Sequence, residues 1–334
     1  MLYDSDVNQP YISFVLATRN DNHGGDLLKR LERFIYFLEM SFNNTPPNFY
    51  ELVVVDWNPP ESSVRISEAI NWNIAKNVRH VVVGASEHQR IEKSAKLKRP
   101  MYDYNARNVG INASQGRFIC ILNQDIIFSR QLSAFIKDKK LRSNFFYRSD
   151  RIDINFPMHL NELNENLMLS NATAIHRRHR RSNDISLKSN LEFSKIALEC
   201  SVRKKWGFQS ITELGKGKKN IISKYYLSKY TSNSLEILIA KLGLHTNASG
   251  DFVIASRRAW KRIGGFENTT DFYMHIDSYC ICKFWASGLK QALFKYPAYI
   301  FHCNHELSDH ESKEIHPYSY HREILQTILT SRGV

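Results

Sequence analysis

The chain has 334 residues, 43% hydrophobic and 24% charged, which is an ordinary globular balance with room for one large α/β domain and an insertion. No apolar run reaches the roughly 18 residues of a membrane span, and Met1 to Pro10 is polar without the apolar centre of a signal peptide. The net charge is +13, and the stretch from Lys139 to Tyr230 holds 19 Lys and Arg against 8 Asp and Glu, so an anionic partner (a membrane surface, nucleic acid or an acidic glycan) stands against the plainer reading of a solvated helical face.

In chain order, Tyr11 to Ala17 reads as a buried strand that runs into the polar turn Thr18 to Gly25. Asp26 is placed to cap a helix whose Leu27, Leu31, Phe34, Ile35 and Leu38 share one face. Glu51 to Asp56 is a second buried strand ending in a carboxylate, and Trp57-Asn-Pro-Pro60 is a rigid turn. The pattern predicts a helix over 63–75, a strand over Val78–Val83, a basic loop over 84–100 and a helix from Tyr102 to Ser114. Phe118 to Asn123 is a bulky apolar strand that meets the polar trio Asn123-Gln124-Asp125 before Ile126, Ile127 and Phe128. Alternating strands and helices predict a mostly parallel sheet with helices on both faces. Its carboxyl ends would gather Thr18-Arg19-Asn20, Asp56 and Asn123-Gln124-Asp125 at one crevice.

Residues 155–244 show little strand pattern and many basic residues, among them Arg177 to Arg181, and read as a basic, mainly helical insertion between the halves 1–154 and 245–334. Order resumes with Gly250-Asp251, a strand over Phe252–Ala255, the turn Gly264-Gly-Phe-Glu267, a helix from Ser278 to Ala286 stopped by Gly288, a strand over Ala298–His302, and a closing helix over Tyr320–Thr330.

No Gly-x-Gly-x-x-Gly follows the first strand and no phosphate-binding P-loop is present, which disfavours a dehydrogenase or a P-loop phosphotransferase. The sheet edge offers Asp56, Asn123 and Asp125 with Arg19 and Arg107, a set suited to a divalent cation carrying a diphosphate. Five cysteines, an odd number, argue for reduced thiols in a cytoplasmic setting.

The motif series Val15-Leu-Ala-Thr-Arg-Asn20, Val53 to Asp56, Ala106-Arg-Asn-Val-Gly-Ile111, Gly116 to Asp125, Gly250 to Trp260, Gly264 to Glu267 and Asp277 resembles the GT-A fold, family 2-like glycosyltransferases. The resemblance covers roughly Tyr11 to Asp150 and Leu244 to His305. It implies a Rossmann-like nucleotide-diphospho-sugar transferase fold and transfer of a sugar from a nucleotide sugar, a UDP-sugar for preference, to a hydroxyl of a glycan or glycoconjugate.

On that resemblance Thr18 and Asp56 hold uracil and ribose, while Arg19, Arg107 and Asn108 face the donor. Asn123-Gln124-Asp125 stands for the metal-binding Asp-x-Asp, with Asn in place of the first Asp. Asp125 is then its carboxylate ligand for Mn²⁺ or Mg²⁺, and His302 completes the metal shell. Asp277 takes the position of the base in inverting members, although Ile276 replaces the Glu of the usual Glu-Asp pair. Gly250 and Asp251 lie toward the sugar or acceptor.

Alternatives remain open at several positions: an ordinary turn for Asp56, Gly250 and Asp251, a helix cap for Asp277, and a zinc site from Cys280, Cys282, Cys303 and His305. Two other functions compete. A sugar nucleotidyltransferase would need a more Gly-rich loop after the first strand, and a nucleic-acid-binding protein would need its basic residues on a recognisable module. The preferred partner of the basic stretch is an anionic membrane surface, touched peripherally, or an anionic acceptor.

Overall fold

The computed structural model describes residues 9–156 apart from 97, residues 164–176, the backbone of 208–210, and residues 244–305 apart from 247, 271–275 and 295–296. Four apolar strands pair in parallel in the order β3 (Val78–Val83), β2 (Tyr50–Trp57), β1 (Ile12–Thr18), β4 (Phe118–Leu122). The sheet continues through β10 (Phe252–Ser256), β6 (Phe145–Ser149), β11 (Lys290–Phe294) and β9 (Phe208–Ser210). β10 runs antiparallel to both neighbours, so Phe252 at its start lies opposite Leu122 at the end of β4. That reversal puts Asp251, just before β10, at the same edge as the carboxyl ends of the parallel strands.

Period-two alternation sends residues to the two faces. Phe14, Leu16, Leu52, Val54 and Cys120 pack with Leu31, Phe34 and Leu38 of α1 (Leu27–Phe42) and Leu132 and Ile136 of α5 (Arg130–Lys137). Val15, Val53, Ile119 and Ile121 face the other way, in one cluster with Tyr104 and Ile111 of α4 (Asp103–Ala113), Trp260 of α7 (Arg257–Ile263) and Ile281 and Phe284 of α8 (Ile276–Ala286). The expected mostly parallel sheet with helices on both faces is what the chain forms. α4 lies so close to the sheet that a methyl group on Gly110 would come within 2.3 Å of Val15 Cγ1. Overpacking of that kind costs about 1–3 kcal/mol.

A second, smaller sheet runs β5 (Ile126–Phe128), β12 (Ile300–Cys303), β7 (Arg151–Ile154), β8 (Ala172–His176). One of its faces is apolar, with Ile127, Ile152, Ile154, Ile175 and Phe301 in a common cluster. Arg151, Asp153, His176 and His302 alternate with those residues and occupy the other face. The chain crosses from the large sheet to the small one through Asn123-Gln124-Asp125, between β4 and β5.

Several local expectations change. Residues 84–100 were expected to be loop, but α3 forms over Ala85–Glu92, with the Arg90 guanidinium paired to Glu87 one turn back. The helix expected over 63–75 is only α2 (Ile66–Ala69) and a 3-10 turn at Trp72–Ile74; Pro59 and Pro60 precede it, and extended residues at Arg65 and Ile70 bound α2. Asp26 is left-handed and makes no side-chain cap; Asn22 Oδ1 accepts from the Leu27 amide instead, at 3.2 Å. Within 155–244, α6 (Glu165–Ser170), β8 and β9 are described, the two strands pairing with β7 and β11. The basic runs beyond His176 and the closing helix expected over Tyr320–Thr330 lie outside the described residues.

Candidate functional site

The carboxyl edge of the large sheet collects the residues that the strand pattern assigned to it. Thr18 at the end of β1 is registered with Asp56 on β2, and its hydroxyl donates to Gln124 Oε1 at 3.0 Å. Asp56 is 1% exposed. Its Oδ2 accepts from the Ile66 amide at 2.9 Å, while Oδ1 is buried with no hydrogen-bond partner among the described residues. Burial pushes this carboxyl above its ordinary value, only partly offset by the Ile66 amide and the charges of Arg65 and Arg19. Arg19 itself turns to its own loop, pairing with Asp21 at 2.6 Å and donating to Asn58 O at 2.8 Å.

Arg107 is 4% exposed and ties three elements together. Nε meets Asp103 Oδ2 at 2.8 Å, Nη2 donates to Asn123 Oδ1 at 2.6 Å, and Nη1 donates to the Gly250 carbonyl. Asn123 passes the link on through Nδ2 to Asp251 Oδ1 at 2.7 Å. Asn108, the neighbour of Arg107, spends its amide inside the fold: it accepts from Phe266 N at 2.8 Å and donates to Phe266 O and to Asn268 Oδ1. This clamp explains Gly265, where φ is +74° and a methyl group would lie 2.3 Å from Asn108 Oδ1.

From Asp251 the charged network crosses to the small sheet. Arg151 Nη1 pairs with Asp251 Oδ2, while its Nε and Nη2 reach the two oxygens of Asp153 at 2.7 and 3.0 Å. His176 Nε2 lies 2.8 Å from Asp153 Oδ2, and His302 Nδ1 lies 3.4 Å from Asp153 Oδ1. Burial raises the Asp153 and Asp251 carboxyls, but these partners outweigh it. The His176 hydrogen bond, the nearby His302 imidazole and the Arg151 guanidinium hold Asp153 well below the usual carboxylate range, and Arg151, His302 and Arg107 hold Asp251 low. Arg148 on β6, fully buried, donates to His245 O at 3.1 Å. Burial lowers its guanidinium to about 10, with Asp277 and Asp251 opposing the shift.

Asp125 closes the arrangement. Its Oδ1 takes Arg30 Nη1 at 2.9 Å, both side chains 5% exposed. Its Oδ2 lies 3.6 Å from His305 Nε2. Ligand atoms of Asp125, His302 and His305 all fall within 4.8 Å of one another. One carboxylate and two imidazoles suit a divalent transition-metal ion better than Mg²⁺, which prefers oxygen alone. The zinc alternative loses its geometry. Cys280 and Cys282 are buried on α8 and Cys303 on β12, burial pushes the Cys282 and Cys303 thiols up to about 12, and the only metal-capable group among the described residues contains no cysteine.

Asp277 sits in the first turn of α8. Its Oδ2 accepts from Ser249 Oγ at 2.7 Å and Gly250 N at 2.9 Å, and its Oδ1 from the Ser278 amide at 2.7 Å. It thus braces the Ser249–Gly250 turn whose carbonyl holds Arg107, and it joins the same network as Asn123.

Sequence reasoning missed Arg30, Arg148, Arg151, Asp153 and His176. Two signals existed. Arg30 interrupts the apolar stripe of α1 between Leu27 and Phe34, where a charge is buried only with a partner. Arg151-Ile-Asp-Ile154 alternates as a half-buried strand does.

No protein-family model matches the chain, and no curated protein matches it. Among solved structures, 90% of the chain is similar to GalNAc-T7, crystallised with UDP, GalNAc and Mn²⁺, at 13% identity and a TM-score of 0.47, over 45% of that chain. Another, TarS 1–349 of S. aureus, is similar over 87% of this chain at 13% identity and a TM-score of 0.44, over 60% of its own length. The chain spans about half the length of these structures. No helix among the described residues is long and apolar enough to cross a membrane.

Proposed function

We propose that the chain is a GT-A type glycosyltransferase that takes its sugar from a UDP-sugar with the help of Mn²⁺. The observation that carries the reading is the convergence of Asp125, His302 and His305 near the edge that also holds the Asp56 oxygen left without a partner among the described residues. A buried acceptor without a partner costs about 1–3 kcal/mol, and an N–H or O–H of a nucleoside would satisfy it. Asp125, His302 and His305 would hold the metal. A bound Mn²⁺ supplies positive charge beside the diphosphate as it departs. Arg107 fixes the Asn123 side chain at the same strand end.

Asp277 is the base. Ser249 and Gly250 fix its Oδ2, and Oδ1 receives one amide and keeps capacity for an acceptor hydroxyl. As that proton moves to Asp277, the hydroxyl oxygen bonds to the anomeric carbon. The bond from that carbon to the diphosphate oxygen breaks with its electron pair leaving on the diphosphate, and the configuration inverts.

The test follows phosphorus signals while the protein meets UDP-, GDP- and TDP-sugars with Mn²⁺, and in parallel nucleoside triphosphates with sugar 1-phosphates. The expected result is UDP release from a UDP-sugar that Asp125→Ala abolishes. Pyrophosphate release from the second set would make the protein a nucleotidyltransferase instead.

A further inference from the structure

The sequence motifs left Asp153 unassigned, yet more side chains converge on it than on Asp125. β12 runs parallel to β7, and His302 is the direct register partner of Asp153. Both therefore point to the same face of the small sheet. The Asp153 carboxylate is immobilised from two sides, by Arg151 on its own strand at 2.7 and 3.0 Å and by His176 across β8 at 2.8 Å. His302 Nδ1 is buried and makes no well-aligned hydrogen bond among the described residues; Asp153 Oδ1, at 3.4 Å, is the acceptor it faces. That leaves Nε2 as the ring nitrogen for a metal. An imidazole ligand is oriented, and its tautomer fixed, by what its other nitrogen meets, and such outer partners are worth about 10–100-fold in metal affinity.

We propose that Asp153 is a positioning residue of the metal centre: it holds His302 by Nδ1 so that Nε2 faces Asp125 and His305. The proposal rests on the metal-dependent reading above. The two ligands are then braced alike, Asp125 by Arg30 from α1 and His302 by Asp153 from β7. Arg151 extends the brace to Asp251 and Asn123, so the metal side and the Asn123 side of the site are built on one charged lattice.

The experiment is a Mn²⁺ titration of the full chain without nucleotide, read by the loss of the free-ion electron paramagnetic resonance signal. Asp153→Ala is expected to weaken Mn²⁺ binding by about 10–100-fold. Asp153→Asn, which keeps the shape and a carbonyl acceptor for Nδ1–H, falls between it and wild type. His176→Ala, which removes one of the two contacts that hold Asp153 but leaves Asp153 and His302 in place, weakens binding less than Asp153→Ala does. Wild-type affinity in both Asp153 variants, or in the Asn variant if the Ala variant does not fold, overturns the positioning role and leaves the metal centre standing. Equal weakening in His176→Ala overturns it as well, since the cluster would then act only as a structural unit. Absence of Mn²⁺ binding by the wild-type protein overturns the metal centre itself.

Discussion

Asp56 and Asp251 are both buried carboxylates on one edge of the large sheet, and the fold treats them in opposite ways. Asp56 ends β2 with one oxygen on the Ile66 amide and the other without a partner among the described residues, and burial drives its carboxyl upward. Asp251 precedes β10 with one oxygen on Asn123 and the other on Arg151, and these cations and donors hold its carboxyl down although it too is buried. One side of the site is left incomplete, which on the proposed reading is where the nucleoside binds. The other is already compensated, as a place that must keep its shape when a metal or substrate arrives. A buried charge is costly unless paired, so on the proposed reading the open Asp56 oxygen, separated from Asp251 by two strands along the same edge, is the position a ligand would complete.

The comparison breaks most sharply if Asp251 is removed. Asp251→Ala leaves Asn123 Nδ2 without its acceptor and Arg151 with Asp153 alone, and is expected to cost about 3 kcal/mol in urea denaturation at neutral pH. The sign with pH follows from the lowered carboxyl. The contribution is full above the ordinary value of 3.8 and is lost as pH falls toward the lower folded value, so the difference between variant and wild type shrinks in acid. The smaller effect is at Asp56 and runs the other way. Its folded carboxyl is raised, so ionisation works against the fold above that value, and the penalty vanishes as pH falls toward 3.8. Asp56→Asn is therefore expected to raise the neutral-pH melting temperature slightly, with no gain near pH 4, while weakening nucleotide binding. A loss of stability at neutral pH in Asp56→Asn would remove the contrast.

How much of this was legible in the sequence divides along the same line. The side built by Thr18, Asp56 and Asn123-Gln124-Asp125 could be read directly, because each residue follows a long apolar strand and parallel strands end together. The compensated side could be read only at Asn123, Asp251 and the strand that ends in His302; their partners Arg151, Asp153 and His176 could not. Its strands β5, β7, β8 and β12 are three to five residues long, come from 126–128, 151–154, 172–176 and 300–303, and meet only in the folded chain. Short alternating runs such as Arg151 to Ile154 carry too few periods to stand out.

Arg19 and Asn108 show the converse limit. Both adjoin site residues in sequence, but Arg19 serves its own loop and Asn108 clamps the turn at Gly265 and Phe266. His305 was grouped with cysteines by spacing, and the fold gives it to Asp125 and His302 instead.

The central claim is that this edge receives a uridine diphosphate through a metal held at Asp125. Its most direct test is a thermal-shift panel of UDP, GDP, CDP and TDP, each with and without Mn²⁺. The account predicts the largest stabilisation with UDP and Mn²⁺ together, its disappearance in Asp125→Ala, and its reduction in Asp56→Asn. An unchanged melting temperature with all four nucleotides, with or without the metal, would contradict it.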